Sequence, residues 1–124
     1  VYKRQVLYSG KTVKLIFLYI PPKLNLTEKK NVLLNIIDKF VSLHADPVLV
    51  TGDFNVDNLL PNSENFVQFM KERFNLTYLP TNYTTDYGSA LDHFYTNVIQ
   101  SDIEGWGTLE SYYSDHKPLY IILK

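Results

Sequence analysis

Val13 to Ile20 reads VKLIFLYI and runs straight into Pro21-Pro22. A stretch of that length, interrupted only by Lys14, predicts a central β-strand covered on both faces. Proline cannot donate to a ladder, so Pro21 marks the strand's end. Upstream, QVLYS and the GKT turn make this strand the second arm of a β-hairpin. A strand buried on both sides commits the chain to a layered fold, and the remaining segments say which layers. Residues 27–43 place Leu33, Ile36, Ile37 and Phe40 at i, i+3, i+4 and i+7, which predicts a helix with Thr27 as its N-cap. PVLVTG (47–52) is a short β-branched strand opened by Pro47. Residues 63–74 form a second amphipathic helix with Phe66, Phe69, Met70 and Phe74 inward. LTYLP, ALDHFYTN, WGTLES and PLYIIL read as further strands, with TNYTTDYGS and YYSDH as loops between them. Strands interleaved with helices indicate an α/β layered domain.

At 124 residues the chain is one domain or part of one, and 45% apolar content with 15% aromatics supplies a substantial core. The net charge of −1 excludes a basic overall field, so any grip on nucleic acid must be local. There is no cysteine, which removes disulfides and thiolate metal sites. No apolar run approaches the roughly 20 residues that cross a bilayer. The opening VYKRQ matches the reading-frame translation of a transposase end sequence used as a sequencing adapter. Residues 1–5 are therefore expected to be an artefact and residues 6–124 the true chain.

TGDFNVDN (51–58) is the most polar strand exit in the sequence. With Asp53 as position one, Asn55, Asp57 and a Glu64 at position twelve match much of an EF-hand calcium loop. Position six is Asn58 where that loop needs glycine, and the segment follows a strand rather than a helix. The calcium reading is set aside on both counts.

Four pieces sit where apolar strands meet polar loops, the place where α/β folds gather their sites. They are Tyr19, the Asp53/Asn55 pair, Asp92 in SALDHFYTN, and Asp115-His116 in YYSDHKPLY. Singly, each reads as well as a rim tyrosine, a turn or a capped loop. Together GDFN, LDHFYTN and SDHKPL, in that order and preceded by LYIPP, resemble the C-terminal motifs of the endonuclease/exonuclease/phosphatase superfamily. Within it they are most similar to endonuclease domains of mobile elements such as LINE-type retrotransposons.

The resemblance covers the chain from about residue 6 to its end. It implies a DNase I-like four-layer α/β sandwich, present as a C-terminal partial domain, and Mg²⁺-dependent phosphodiester hydrolysis, with Mn²⁺ as a substitute. It gives Asp53 the attacking water, Asn55 and Tyr19 the phosphate as charge builds on it, and His116 the scissile phosphate with Asp92 orienting it. Asp115 falls on the metal side, joined by Asp53. Such chemistry needs carboxylates for a hard cation and donors for phosphate oxygens. The implied partner is DNA, with no membrane, and with fusion to further mobile-element domains acting inside the cell, in the nucleus. The family's first-strand asparagine and metal-binding glutamate have no counterpart in this sequence, so the fragment alone is expected to be inactive, with one sheet face left open.

Other polar residues receive plainer readings. Tyr83 and Tyr87, in the loop ahead of Asp92, are expected to pack on the DNA strand. His44 reads as a charge partner at a helix C-terminus, His93 as structural with its side chain opposite Asp92, and Asp57 as a loop cap. The sequons at Asn25, Asn75 and Asn82 read as caps and turns. Two competing functions stay open: a lipid or inositol phosphate phosphodiesterase on the same scaffold, and a decayed, non-catalytic remnant.

Overall fold

The computed structural model describes residues 2–8, 11–41, 47–60, 64–111 and 114–124. The described residues form seven strands and two helices in the order β1 (Tyr2–Tyr8), β2 (Lys11–Tyr19), α1 (Leu26–Val41), β3 (Val48–Asp53), α2 (Glu64–Phe74), β4 (Thr77–Leu79), β5 (Asp92–Thr96), β6 (Ile103–Thr108) and β7 (Leu119–Leu123). Five strands make one sheet in the order β1-β2-β3-β5-β4, and β6 pairs with β7 in a second. The expected hairpin is present, with β1 antiparallel to β2 and Val6 opposite Val13. Its Ser9-Gly10 turn lies outside the described residues, as do Tyr112, Tyr113 and His44.

β2 pairs in parallel with β3, which therefore needs a crossover, and α1 supplies it. α1 and α2 cover one face of the large sheet. There Ile16 and Leu18 of β2 and Ile20 just past it meet Leu33 and Ile37 of α1, Phe66 and Met70 of α2, and Phe54, all buried. The small sheet covers part of the other face, where Val13, Leu49, Phe94 and Val98 pack with Ile103, Trp106, Leu119 and Ile121. Alternation along β2 thus feeds two cores at once, as its nearly unbroken apolar run predicts. The result is helix, sheet, sheet: three layers of the four-layer sandwich that the resemblance implies. The second sheet does not close over the first. A cavity of about 650 Å³ separates them, lined by Leu15, Phe17, Phe94, Leu119 and Ile121 and ending at Asp92 and His116. On the outward face of β7, Tyr120 and Ile122 are exposed.

Several local expectations need correction. The N-cap of α1 is Asn25 rather than Thr27: its Oδ1 accepts from the Glu28 amide at 2.8 Å, while the Glu28 carboxylate accepts from the Asn25 amide at 3.1 Å. This reciprocal pair is a capping box, and Thr27 lies inside the helix. β6 begins at Ile103 and ends at Thr108, so Leu109, Glu110 and Ser111 are not in the strand. The strand expected at WGTLES is present, but the expectation sets its start too late, since glycines at 105 and 107 obscure the alternation, and the Tyr120 ring lies against the place where a Cβ on Gly107 would stand.

The cap-and-turn readings fare better. Asn75 ends α2 in the left-handed region at φ 56°, with the Leu76 amide donating back to Met70 O. Asp57 Oδ1 accepts from the amides of Leu59 and Ala90, which clips the loop after β3 to the segment before β5.

Candidate active site

Strand register assembles the site. Tyr19 is the β2 partner of Asp53, and Asp53 is the β3 partner of Asp92 on β5. Residues in register share a sheet face, so the three form a row across the carboxyl ends of β2 and β3 and the start of β5. The row is on the cavity side, because Leu49 and Phe94, two residues along from Thr51 and Asp92, belong to that core. Gly52 allows this close approach. It sits at φ 139°, and a Cβ there would lie 1.9 Å from Leu18 O.

His116 completes the cluster from the loop before β7, where it forms an isolated bridge with Thr85. Its Nδ1 is 2.8 Å from Asp92 Oδ2, and its Nε2 is 3.9 Å from Asp53 Oδ2. A carboxylate only accepts, so Nδ1 carries a proton and Nε2 faces Asp53. Burial alone would lower the His116 pKa. The hydrogen bond and charge of Asp92, with the charges of Asp53 and Asp115, outweigh it and hold the group above its ordinary 6.5.

Asp53 shifts the other way from a usual paired carboxylate. Burial raises its pKa above 3.8, and Asp92 adds to this, against the pull of the Asn55 amide, His116 and Lys29. Asp53 Oδ1 accepts from the Asn55 amide at 3.0 Å. Asn55 itself is in the left-handed region at φ 51°, and its side-chain Nδ2 donates to Ile20 O at 2.6 Å.

The structure therefore brings Asp53, Asn55, Asp92 and His116 together, with Tyr19 in the same row and its side chain 64% exposed. Asp115 is exposed beside His116, and its backbone carbonyl accepts from the Asp86 amide; it is not part of the cluster of ligand atoms described next. Tyr83 lies with its ring 4.9 Å from Lys117 Nζ, one residue past His116, and Tyr87 is 84% exposed. His93 is buried opposite, as expected for a structural residue. Its ring stacks on Phe54 at 4.9 Å, its Nδ1 pairs with the Tyr95 hydroxyl, and its Nε2 meets the carbonyls of Val56 and Ala90.

Two residues of the site escaped the sequence reading. Thr84 is buried, its hydroxyl donates to Asp92 Oδ2 at 3.0 Å, and the same oxygen accepts from the amides of Leu91 and Asp92. Its carbonyl accepts from the Lys117 amide, so one threonine anchors both halves of the Asp92–His116 pair. Nothing periodic marks it out in TNYTTDYGS. Lys29, in the first turn of α1, is 6% exposed and donates from Nζ to Asn55 O. A lysine at a helix start opposes the helix dipole, but the burial that marks Lys29 out comes from a tertiary contact the sequence does not show.

Asp53, Asp92 and His116 present ligand atoms within 4.8 Å of one another. Asp92 Oδ2 and His116 Nδ1 already bind each other, and Asp53 is the carboxylate outside that pair. The arrangement fits a divalent cation held by few protein groups. No described helix is long and apolar enough to cross a membrane.

The fold has solved counterparts. An endonuclease/exonuclease/phosphatase family protein from Leptotrichia buccalis superposes with a TM-score of 0.69 at 15% identity, over 98% of this chain and 52% of its own. Cytolethal distending toxin from Actinobacillus actinomycetemcomitans gives 0.66 at 16% identity, over 98% and 52%. Mannosyl-6-phosphatase from Bacteroides thetaiotaomicron gives 0.60 at 18% identity, over 94% and 52%. The chain thus spans about half the length of the structures it resembles. No curated protein matches it in sequence. The family model described as endonuclease-reverse transcriptase matches residues 13–120, a span that holds every residue of the cluster. The chain belongs to this endonuclease-reverse transcriptase family of the endonuclease/exonuclease/phosphatase superfamily, whose members hydrolyse phosphodiesters and phosphate esters.

Proposed function

We propose that this chain is the C-terminal part of a mobile-element endonuclease domain that nicks DNA by Mg²⁺-dependent phosphodiester hydrolysis. The observation that carries the reading is the Asp53–His116–Asp92 arrangement, in which one carboxylate fixes the histidine and a second faces its outer nitrogen across 3.9 Å. That separation exceeds a hydrogen bond and leaves room for a water that accepts from Nε2 and donates to Asp53. The description of the family, which joins an endonuclease to a reverse transcriptase, supports the mobile-element origin and further fused domains.

In this reading Asp53, its pKa raised by burial, takes the proton of the attacking water. His116, held charged by Asp92, donates from Nε2 to the phosphate as negative charge builds. Asn55 donates to the same phosphate, and Tyr19 adds its hydroxyl from the strand end. Asp53 and Asp115 would hold magnesium, or manganese in its place, and the ion would supply charge neutralisation. Tyr83 and Tyr87 border the path of the DNA strand.

The fragment alone is inactive in this proposal, because the family's first-strand asparagine and metal-binding glutamate have no counterpart in it; the open cavity ending at Asp92 and His116 supports that reading. The test is nicking of supercoiled plasmid in Mg²⁺ by the protein expressed from the complete reading frame. Relaxed circles that disappear with His116→Ala support the proposal; a plasmid left supercoiled while a phosphorylated lipid or sugar is hydrolysed overturns it in favour of a small-substrate phosphodiesterase.

A further inference from the structure

Lys29 stands in a costly place. It is almost fully buried, it occupies the first turn of α1 where the helix dipole is positive, and burial lowers its pKa against the pull of Asp53. What it reaches is the loop of the proposed site. Its Nζ donates to the carbonyl of Asn55, the left-handed residue two places after Asp53. From that conformation the Asn55 amide holds Asp53 Oδ1 and its side chain holds Ile20 O at the end of β2. The contact therefore links a helix on one side of the sheet to a carboxylate presented on the other.

We propose that Lys29 is a positioning residue: by gripping the Asn55 carbonyl it fixes the left-handed turn that orients the Asp53 carboxylate. The proposal deepens the nuclease reading and rests on it for its kinetic consequences, while its structural consequences stand apart from activity. Removing the ammonium group frees the Asn55 peptide to rotate and lets Asp53 leave its rotamer, with no loss from the cores on either side of the sheet. Misplacement of a catalytic group by about 1 Å lowers rates by about 100-fold.

The experiment compares Lys29→Met, which keeps the apolar stem, with Lys29→Arg, which restores a charged donor, and with Lys30→Met as a control. Lys30 lies on the same helix over the Phe69 ring and away from the site. Amide hydrogen exchange is measured on the protein, and plasmid nicking is measured on the same samples. The expected result is exchange at Asn55 at least about tenfold faster in Lys29→Met, with Val48–Val50 unchanged, recovery in Lys29→Arg, and no effect of Lys30→Met. In nicking, kcat falls about 10–100-fold while KM stays within about threefold. Unchanged exchange at Asn55 in Lys29→Met overturns the proposal, and so does faster exchange spread evenly through β3 and α1, which marks a purely structural role. If Lys29→Met does not fold, Lys29→Leu takes its place. A shifted Asn55 amide resonance with kcat lowered several-fold sustains the proposal, and behaviour identical to the parent overturns it. If the parent itself does not nick DNA, the nuclease reading fails and the exchange arm still judges Lys29.

Discussion

His116 Nδ1 lies 2.8 Å from Asp92 Oδ2, and Asp92 is itself the cross-strand partner of Asp53. One strand pairing thus sets both the carboxylate that orients the histidine and the carboxylate that faces its other nitrogen. Replacing Asp92 by Asn keeps the shape and removes the charge. The expected loss in nicking rate is about 10²–10³-fold, carried mainly by kcat, because the histidine loses both its orientation and its support as a cation. Single-turnover kinetics on plasmid or oligonucleotide duplex read this directly.

The same pair sets a pH dependence. The His116 pKa in the folded protein is above its ordinary 6.5, so its interaction with Asp92 stabilises the fold fully below that value and is lost as pH rises past the folded value. In activity, the basic limb of the profile is expected above pH 6.5, and Asp92→Asn moves it to lower pH. NMR titration of the His116 ring in both proteins checks the direction; a pKa unchanged by Asp92→Asn contradicts it.

His93 behaves oppositely. Burial lowers its pKa to about 4, so the neutral ring is the one the core accepts. Its contribution is complete above pH 6.5 and is lost as pH falls from there toward 4, amounting to about 3 kcal/mol at about 1.4 kcal/mol per pH unit. His93→Gln is expected to lower stability at pH 7 and to flatten the acid limb of a stability–pH curve measured by urea unfolding.

The contrast between the two histidines shows what was legible in the sequence. Alternation along LDHFYTN separates Asp92 from His93 by face, which marked His93 as structural, whereas the part proposed for Asp92 came from the family resemblance. The VKLIFLYI run, the two amphipathic helices and the three strand-end motifs likewise follow from period and punctuation. What did not follow depends on tertiary contact. Thr84 meets Asp92 through a loop with no period, and Lys29 meets Asn55 across 26 positions of sequence. β6 was placed too late in the chain because Gly105 and Gly107 carry no side chain to show alternation, although at Gly107 that absence is what admits the Tyr120 ring.

Gly52 is the position where substitution has the largest expected structural effect. Alanine there needs a strained φ and puts its Cβ on the Leu18 carbonyl. Gly52→Ala is expected to cost roughly 3 kcal/mol or more, seen as a collapse of the thermal transition. A melting temperature within a few degrees of the parent contradicts the close β2–β3 approach.

Tyr83 tests the DNA surface. Its ring packs on Lys117, which also bonds Glu110 at 2.8 Å, so the tyrosine is held in place beside His116. Tyr83→Ala is expected to weaken duplex binding by about 5–100-fold, from a stacking contribution of roughly 1–3 kcal/mol. Fluorescence anisotropy with a labelled duplex measures it, and an unchanged Kd removes Tyr83 from the interface.

The most direct measurement is plasmid nicking by the protein from the complete reading frame, in Mg²⁺ and in EDTA, beside His116→Ala. Nicked circles in Mg²⁺ alone, lost in the variant, are the predicted result. Nicking that survives His116→Ala, or a plasmid untouched by a folded parent protein, contradicts the assignment of the Asp53–Asp92–His116 cluster as a DNA-cleaving site.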